Sequence, residues 1–249
     1  MPPQPDSADY ELLLPGERQD LSIQPMGKEE QYPKPEGRSG DGSAFLAGIV
    51  AALVSLILTW VIVLCNSPTY MGWFAFHPLL QSLALTLFTY GILTLQPTSQ
   101  PKSKVAGFNR HQAAILYVGL PCITLGTGAV IFNKWINNKT HFTTWHGTLG
   151  IIAIAWLSIQ IALGGGSVWF GGATFGGGAK AKAVWKYHRV SGYVLFPLLM
   201  YTAHLGGAWS FWGEKYANAG IRAIAYTVAP LVLVISVFTR IRLTKMKFI

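Results

Sequence analysis

The chain has 249 residues, 51% of them hydrophobic and only 12% charged, with a mean hydropathy of +0.37. Together with apolar runs of about 20 residues, this excludes an ordinary soluble domain and describes an integral membrane protein. The net charge of +9 does not imply a nucleic-acid partner, because the cations are distributed as a membrane protein distributes them.

Residues 1–43 are rich in Pro, Gly, Glu, Gln and Ser and lack a sustained hydrophobic period, which predicts a disordered N-terminal tail. No cleavable signal peptide is legible, and the first apolar run reads as a retained signal anchor. Six spans follow, at residues 44–64, 76–95, 112–133, 145–163, 190–212 and 222–239, each near the length that crosses a ~30 Å hydrocarbon core. The fold class is therefore an all-α membrane protein with six transmembrane helices in a domain over residues 44–243, followed by a short basic tail, 244–249. Lys102, Lys104 and Arg110 lie between spans two and three, and Lys180, Lys182, Lys186 and Arg189 between four and five. Arg240, Arg242, Lys245 and Lys247 follow span six. These share one side, which the positive-inside rule makes cytoplasmic, so both termini are expected inside; Lys134, Lys139, Lys215 and Arg222 soften the contrast. Cys65 closes span one and Cys122 sits in the middle of span three, a mismatch in depth that argues against a disulfide.

Four histidines open four successive spans: His77 in FAFHPLL, His111 in FNRHQAA, His146 in TTWHGTL and His188 in WKYHRVS. Histidine at membrane depth is costly unless something binds it, so a repeated placement needs a shared cause. Alternating helix direction puts His77 and His146 near the non-cytoplasmic face and His111 and His188 near the cytoplasmic face. Each face then has two imidazoles from different helices, the requirement for six-coordinate ligation of a haem iron, so two b haems in a central four-helix bundle are predicted. Iron with both axial positions filled by protein has no site for oxygen and passes electrons.

Gly150 and Gly192 stand four residues after His146 and His188, and Gly164 and Gly206 eighteen after them, on the same helical faces. They make room either for a flat macrocycle or for close helix packing. His204 lies about 160° around its helix from His188 and is a rival ligand only at the expense of His77 or His146. The run GGGSVWFGGATFGGG, residues 164–178, has no following Lys-Ser/Thr and is a cytoplasmic connector, not a phosphate loop. No dinucleotide fingerprint is present, so the electron donor is a small molecule or another protein. The competing classes are a histidine-lined metal transporter, which should add carboxylates or thiolates at depth, and a haem-binding anchor subunit of a redox complex.

FHPLLQSLAL, HFTTWHGTLGIIAIAW and KYHRVSGY resemble the corresponding segments of the cytochrome b-561 family, most nearly its short two-haem branch without an extracellular domain. The resemblance covers about residues 44–243. It implies that spans two to five bind two b haems, His77 pairing with His146 and His111 with His188. It further implies electron flow from cytoplasmic ascorbate, or a similar small reductant, to monodehydroascorbate or ferric iron on the other side. Arg110, Lys186 and Arg189, with Lys104, then flank the cytoplasmic ligands as cations for an anionic donor, and His141 stands beside the outer acceptor site. Membrane lipid surrounds such a protein, and homodimers occur in the family.

Overall fold

The computed structural model describes residues 36–96 and 100–246, so most of the N-terminal tail and the last three residues of the basic C-terminal tail lie outside the described residues. Helix α1 spans Asp41–Cys65. A short helix α2, Pro68–Met71, and a 3-10 turn, Gly72–Ala75, lead into α3, Phe76–Leu95. One long rod follows, made of α4 (Pro101–Gln112), a π-helical turn (Ala113–Gly119) and α5 (Leu120–Ile136). Helix α6 is Trp145–Gly166, and α7, Gly178–Ala183, precedes α8, Trp185–Ala208. Short helices α9 (Phe211–Tyr216) and α10 (Ala219–Ala223) lead through a second π-turn, Ile224–Val228, into α11, Ala229–Arg240. No strand occurs among the described residues.

Five helical runs are long and apolar enough to cross a membrane: 41–65, 68–95, 101–136, 145–166 and 219–240. The remaining predicted span is α8, which is 24 residues long. Its Tyr193, Pro197, Tyr201, His204 and three glycines dilute the apolar signal that marks the other five. The third run starts at Pro101, eleven residues before its predicted span. Hydropathy locates the edge of the apolar layer, whereas PKSKVAGFNRHQ is polar yet contains no internal proline and begins with proline at a first-turn position that suits it. His111 therefore sits inside a continuous helix instead of opening one.

The helices pair as two antiparallel hairpins, α3 against the α4–α5 rod and α6 against α8. Helices α1 and α11 pack together and join them, α1 onto α3 and α11 onto α8. Each π-turn ends two residues before a proline, Pro121 or Pro230. Proline lacks an N–H and crowds the carbonyl four residues back, and a wider turn accommodates both defects.

One end of the assembly is tied by Arg240, which is 6% exposed. Its guanidinium donates to the carbonyl oxygens of Asp41, Leu93 and Gln96, while Arg242 pairs with the Asp41 carboxylate. The final carbonyls of a helix have no partner of their own, so Arg240 satisfies the end of α3 and fastens it to α1 and α11. Replacing Arg240 with Met keeps the length and removes every donor. The expected result is a loss of about 2 kcal/mol or more, read as a lower thermal midpoint in detergent, with partial recovery in Arg240→Lys.

Candidate functional site

The histidines occupy corresponding places in the two hairpins. His77 is the second residue of α3 and His146 the second of α6, where the Thr144 hydroxyl accepts from the Gly147 N–H and fixes the helix start. His111 lies near the end of α4 and His188 in the first turn of α8. The fold brings His77 and His146 together with ring centres 5.9 Å apart and planes at 80°. It brings His111 and His188 together at 6.3 Å and 85°. Metal–imidazole bonds of about 2 Å place the centres of two axial rings about 6 Å apart, so each pair has room for one iron between its nitrogens.

The other ring nitrogen is already used. His77 Nδ1–H donates to the Gly126 carbonyl at 3.0 Å, and His111 to Gly91 at 3.2 Å. His146 donates to the Thr202 carbonyl at 2.8 Å and His188 to Gln160 at 3.1 Å. A carbonyl only accepts, so all four rings carry their proton on Nδ1 and keep the Nε2 lone pair available for a ligand. Each carbonyl comes from the antiparallel partner in the same hairpin, and the relation is reciprocal: α3 and the α4–α5 rod orient each other's histidine, as do α6 and α8. These carbonyls lie 14, 15, 14 and 14 residues past the histidine of their own helix, about four turns. The two layers of imidazoles are accordingly ~21 Å apart along the bundle.

The residues seven and eleven positions past His77, His146 and His188 face the same way as the ligand, within about 40°. They are Ala84 and Phe88, Ala153 and Leu157, Leu195 and Leu199, all buried in one apolar core. Gly119 and Ile123, eight and twelve past His111, are buried as well. A dry plug therefore separates the layers.

Two of the four glycines that share the ligand spacing lie against the histidines. A Cβ on Gly164 would meet His188 Cε1 at 2.7 Å, and one on Gly206 would meet His146 Cε1 at 2.5 Å. Both make room for the imidazole of the partner helix. Gly192 lies against the Gln160 side chain, while Gly150 makes only ordinary contact with Thr202. His204 points elsewhere: its Nδ1 is 2.9 Å from the Tyr226 carbonyl, the one that Pro230 leaves without a helical donor. It secures α8 to the second π-turn.

Of the cations, Arg110 is exposed in the last turn of α4, beside His111, and Arg189 is half-buried close to Tyr193. The Lys186 ammonium lies over the Tyr187 ring, and Lys104 is in the first turn of α4. His141 sits in the loop before α6 with its ring against Phe142. Lys134, which charge pattern marks only as a topological cation, lies close enough to His77 and His146 to act on both electrostatically. Its ammonium donates to the Thr140 carbonyl at 3.0 Å. Among the described residues no group of three or more His, Cys, Asp or Glu side chains is placed to hold a bare metal ion.

An all-helical membrane bundle with two layers of facing imidazoles defines a class of intramembrane redox protein. Residues 76–213 match the family model for eukaryotic cytochrome b561, and the chain belongs to that family. It is an electron-transfer protein that uses b-type haem. It is similar to the transmembrane reductase CYB561D2 of Bos taurus, 31% identical over 183 residues, covering 72% of this chain and 80% of that protein. The Mus musculus protein of the same name is 31% identical over 177 residues, covering 70% and 78%.

The glycine contacts give a crossed expectation. Gly164→Ala, on the helix that carries His146, should disturb the haem signal that His188→Ala abolishes; Gly206→Ala, on the helix that carries His188, should disturb the signal that His146→Ala abolishes. Optical redox titration of the four variants checks this, because displacement of a whole helix would disturb both signals, whereas each glycine contact predicts a change in one.

Proposed function

We propose that the chain carries electrons through two bis-histidine b haems, His77 with His146 near the non-cytoplasmic face and His111 with His188 near the cytoplasmic face. The donor is ascorbate or a similar small cytoplasmic reductant, and the acceptor is monodehydroascorbate or ferric iron on the opposite side. The observation that carries this reading is the pair of imidazole layers at opposite ends of one bundle, each with Nδ1–H bonded to a carbonyl and its Nε2 lone pairs available. Two relatives bear the name transmembrane reductase, which supports net electron delivery to an acceptor.

When bound, the haem supplies a reversible one-electron couple. The protein's part is to hold that couple in place and exclude competing chemistry. The four imidazoles would hold the haem iron, two in each layer, and the carbonyl bonds to Nδ1–H fix their tautomer and raise their basicity. Between the layers the ligand-bearing faces present buried apolar residues and no charged side chain. Arg110, Lys186 and Arg189, helped by Lys104, give the cytoplasmic end a positive field for an anionic reductant. Lys134 adds positive charge at the acceptor end, where His141 stands beside the site.

Liposomes loaded with ascorbate and bathed in ferric chelate test the function directly. The parent protein should reduce external iron, and His111→Ala should stop it by removing the cytoplasmic haem; a protein without b-haem absorption, or one that cannot reduce the external chelate, contradicts the proposal. Neutralising Arg110, Lys186 and Arg189 together should raise the apparent KM for ascorbate about tenfold, the equivalent of roughly 1.4 kcal/mol of lost binding, with the haem spectrum unchanged.

A further inference from the structure

Three ligand helices obey one numerical rule and the fourth departs from it by one residue. From His77, His146 and His188, plug residues follow at seven and eleven positions and the carbonyl that holds the opposite histidine at fourteen. From His111 the corresponding residues are Gly119, Ile123 and Gly126, at eight, twelve and fifteen. A regular helix turns 100° per residue, so an offset of one would carry Ile123 and Gly126 well off the ligand face. They are nevertheless buried there, and Gly126 holds His77 at 3.0 Å.

The π-turn Ala113–Gly119 lies between His111 and these residues. A π-turn accommodates one residue more than an α-turn over the same rise, which is the offset observed. At the bulge this rod packs closely on α3: a Cβ on Gly119 would lie 2.6 Å from Phe88 Cε1, and one on Gly91 would lie 2.8 Å from Ile115 Cγ1. At its other end the turn meets Pro121, whose missing N–H favours it.

We infer that the π-turn Ala113–Gly119 is a register insert that lets one helix serve both haem layers, placing His111 in one and the Gly126 carbonyl behind His77 in the other. The inserted residue acts through position alone. Without it the rod can align His111 or Gly126 with the α3 hairpin, but not both.

The inference rests on the two-haem reading, and a deletion series separates the two. Val118 is 47% exposed in the π-turn, so deleting it removes little packing while it straightens the helix. Deletion of Ala106, upstream of His111, shortens the same rod without changing the count between His111 and Gly126. The parent and the Ala106 deletion should each bind two haems with the same low-spin ferric signals. The Val118 deletion should lose one haem or shift its signal.

Adding one Ala between Gln112 and Ala113 to the Val118 deletion restores the count and should restore both haems; adding it between Ala106 and Gly107 should not. This rescue keeps the test decisive even where the single deletion folds poorly. Two unaltered haems in the Val118 deletion, or failure of the 112/113 insertion to rescue, would overturn the register role while leaving the function intact. A parent protein with one haem would overturn the two-haem reading and the inference with it.

Discussion

An imidazole at membrane depth has two nitrogens to satisfy, and this structure is arranged around that demand. Nδ1–H is met by a backbone carbonyl from the antiparallel neighbour, so it requires no additional polar side chain in the bilayer. A helical carbonyl has a second lone pair after its own hydrogen bond, and the close approach needed to reach it explains the glycines beside the rings. Nε2 is left available, on rings whose centres lie 5.9 and 6.3 Å apart, the separation two imidazoles take on one metal. Because each helix of a hairpin both offers a histidine and orients its partner's, displacing one helix disturbs both layers.

The remainder of the molecule separates dry from wet. Between the layers, the ligand-bearing faces contribute Ala, Leu, Ile, Phe and Gly, a path open to electrons and closed to ions. At the ends, cations and aromatic residues gather, including Arg110 and Arg189 beside one histidine pair and Lys134 near the other. Arg240 fastens the end of α3 while His204 occupies the carbonyl exposed by Pro230, so two polar groups that resemble functional residues serve the scaffold.

Much of this is legible in the order of the residues. The apolar runs mark the spans, and the charge of the loops gives a direction for the chain. Four histidines at a repeated place identify the pairs that the fold brings within 6.3 Å or less. The orienting carbonyls are not legible by residue type, since Gly91, Gly126, Gln160 and Thr202 share no chemistry in their side chains. Only the four-turn spacing points to them, and the π-turn hides it in one helix. The start of α4 escapes hydropathy, which does not report on a helix that continues past the lipid. Lys134 escapes charge counting because its place depends on how the loop between α5 and α6 folds, which brings the Thr140 carbonyl to its ammonium.

The near-perpendicular imidazole planes, 80° in one layer and 85° in the other, offer the most direct check on paired ligation. Perpendicular axial imidazoles give low-spin ferric haem a strongly anisotropic electron paramagnetic resonance signal, distinct from the rhombic signal of parallel planes. The ferric protein at two haems per chain should show two such signals, with His111→Ala removing one and His146→Ala the other. A single signal in the parent protein, or high-spin iron at rest, would contradict the paired-histidine arrangement.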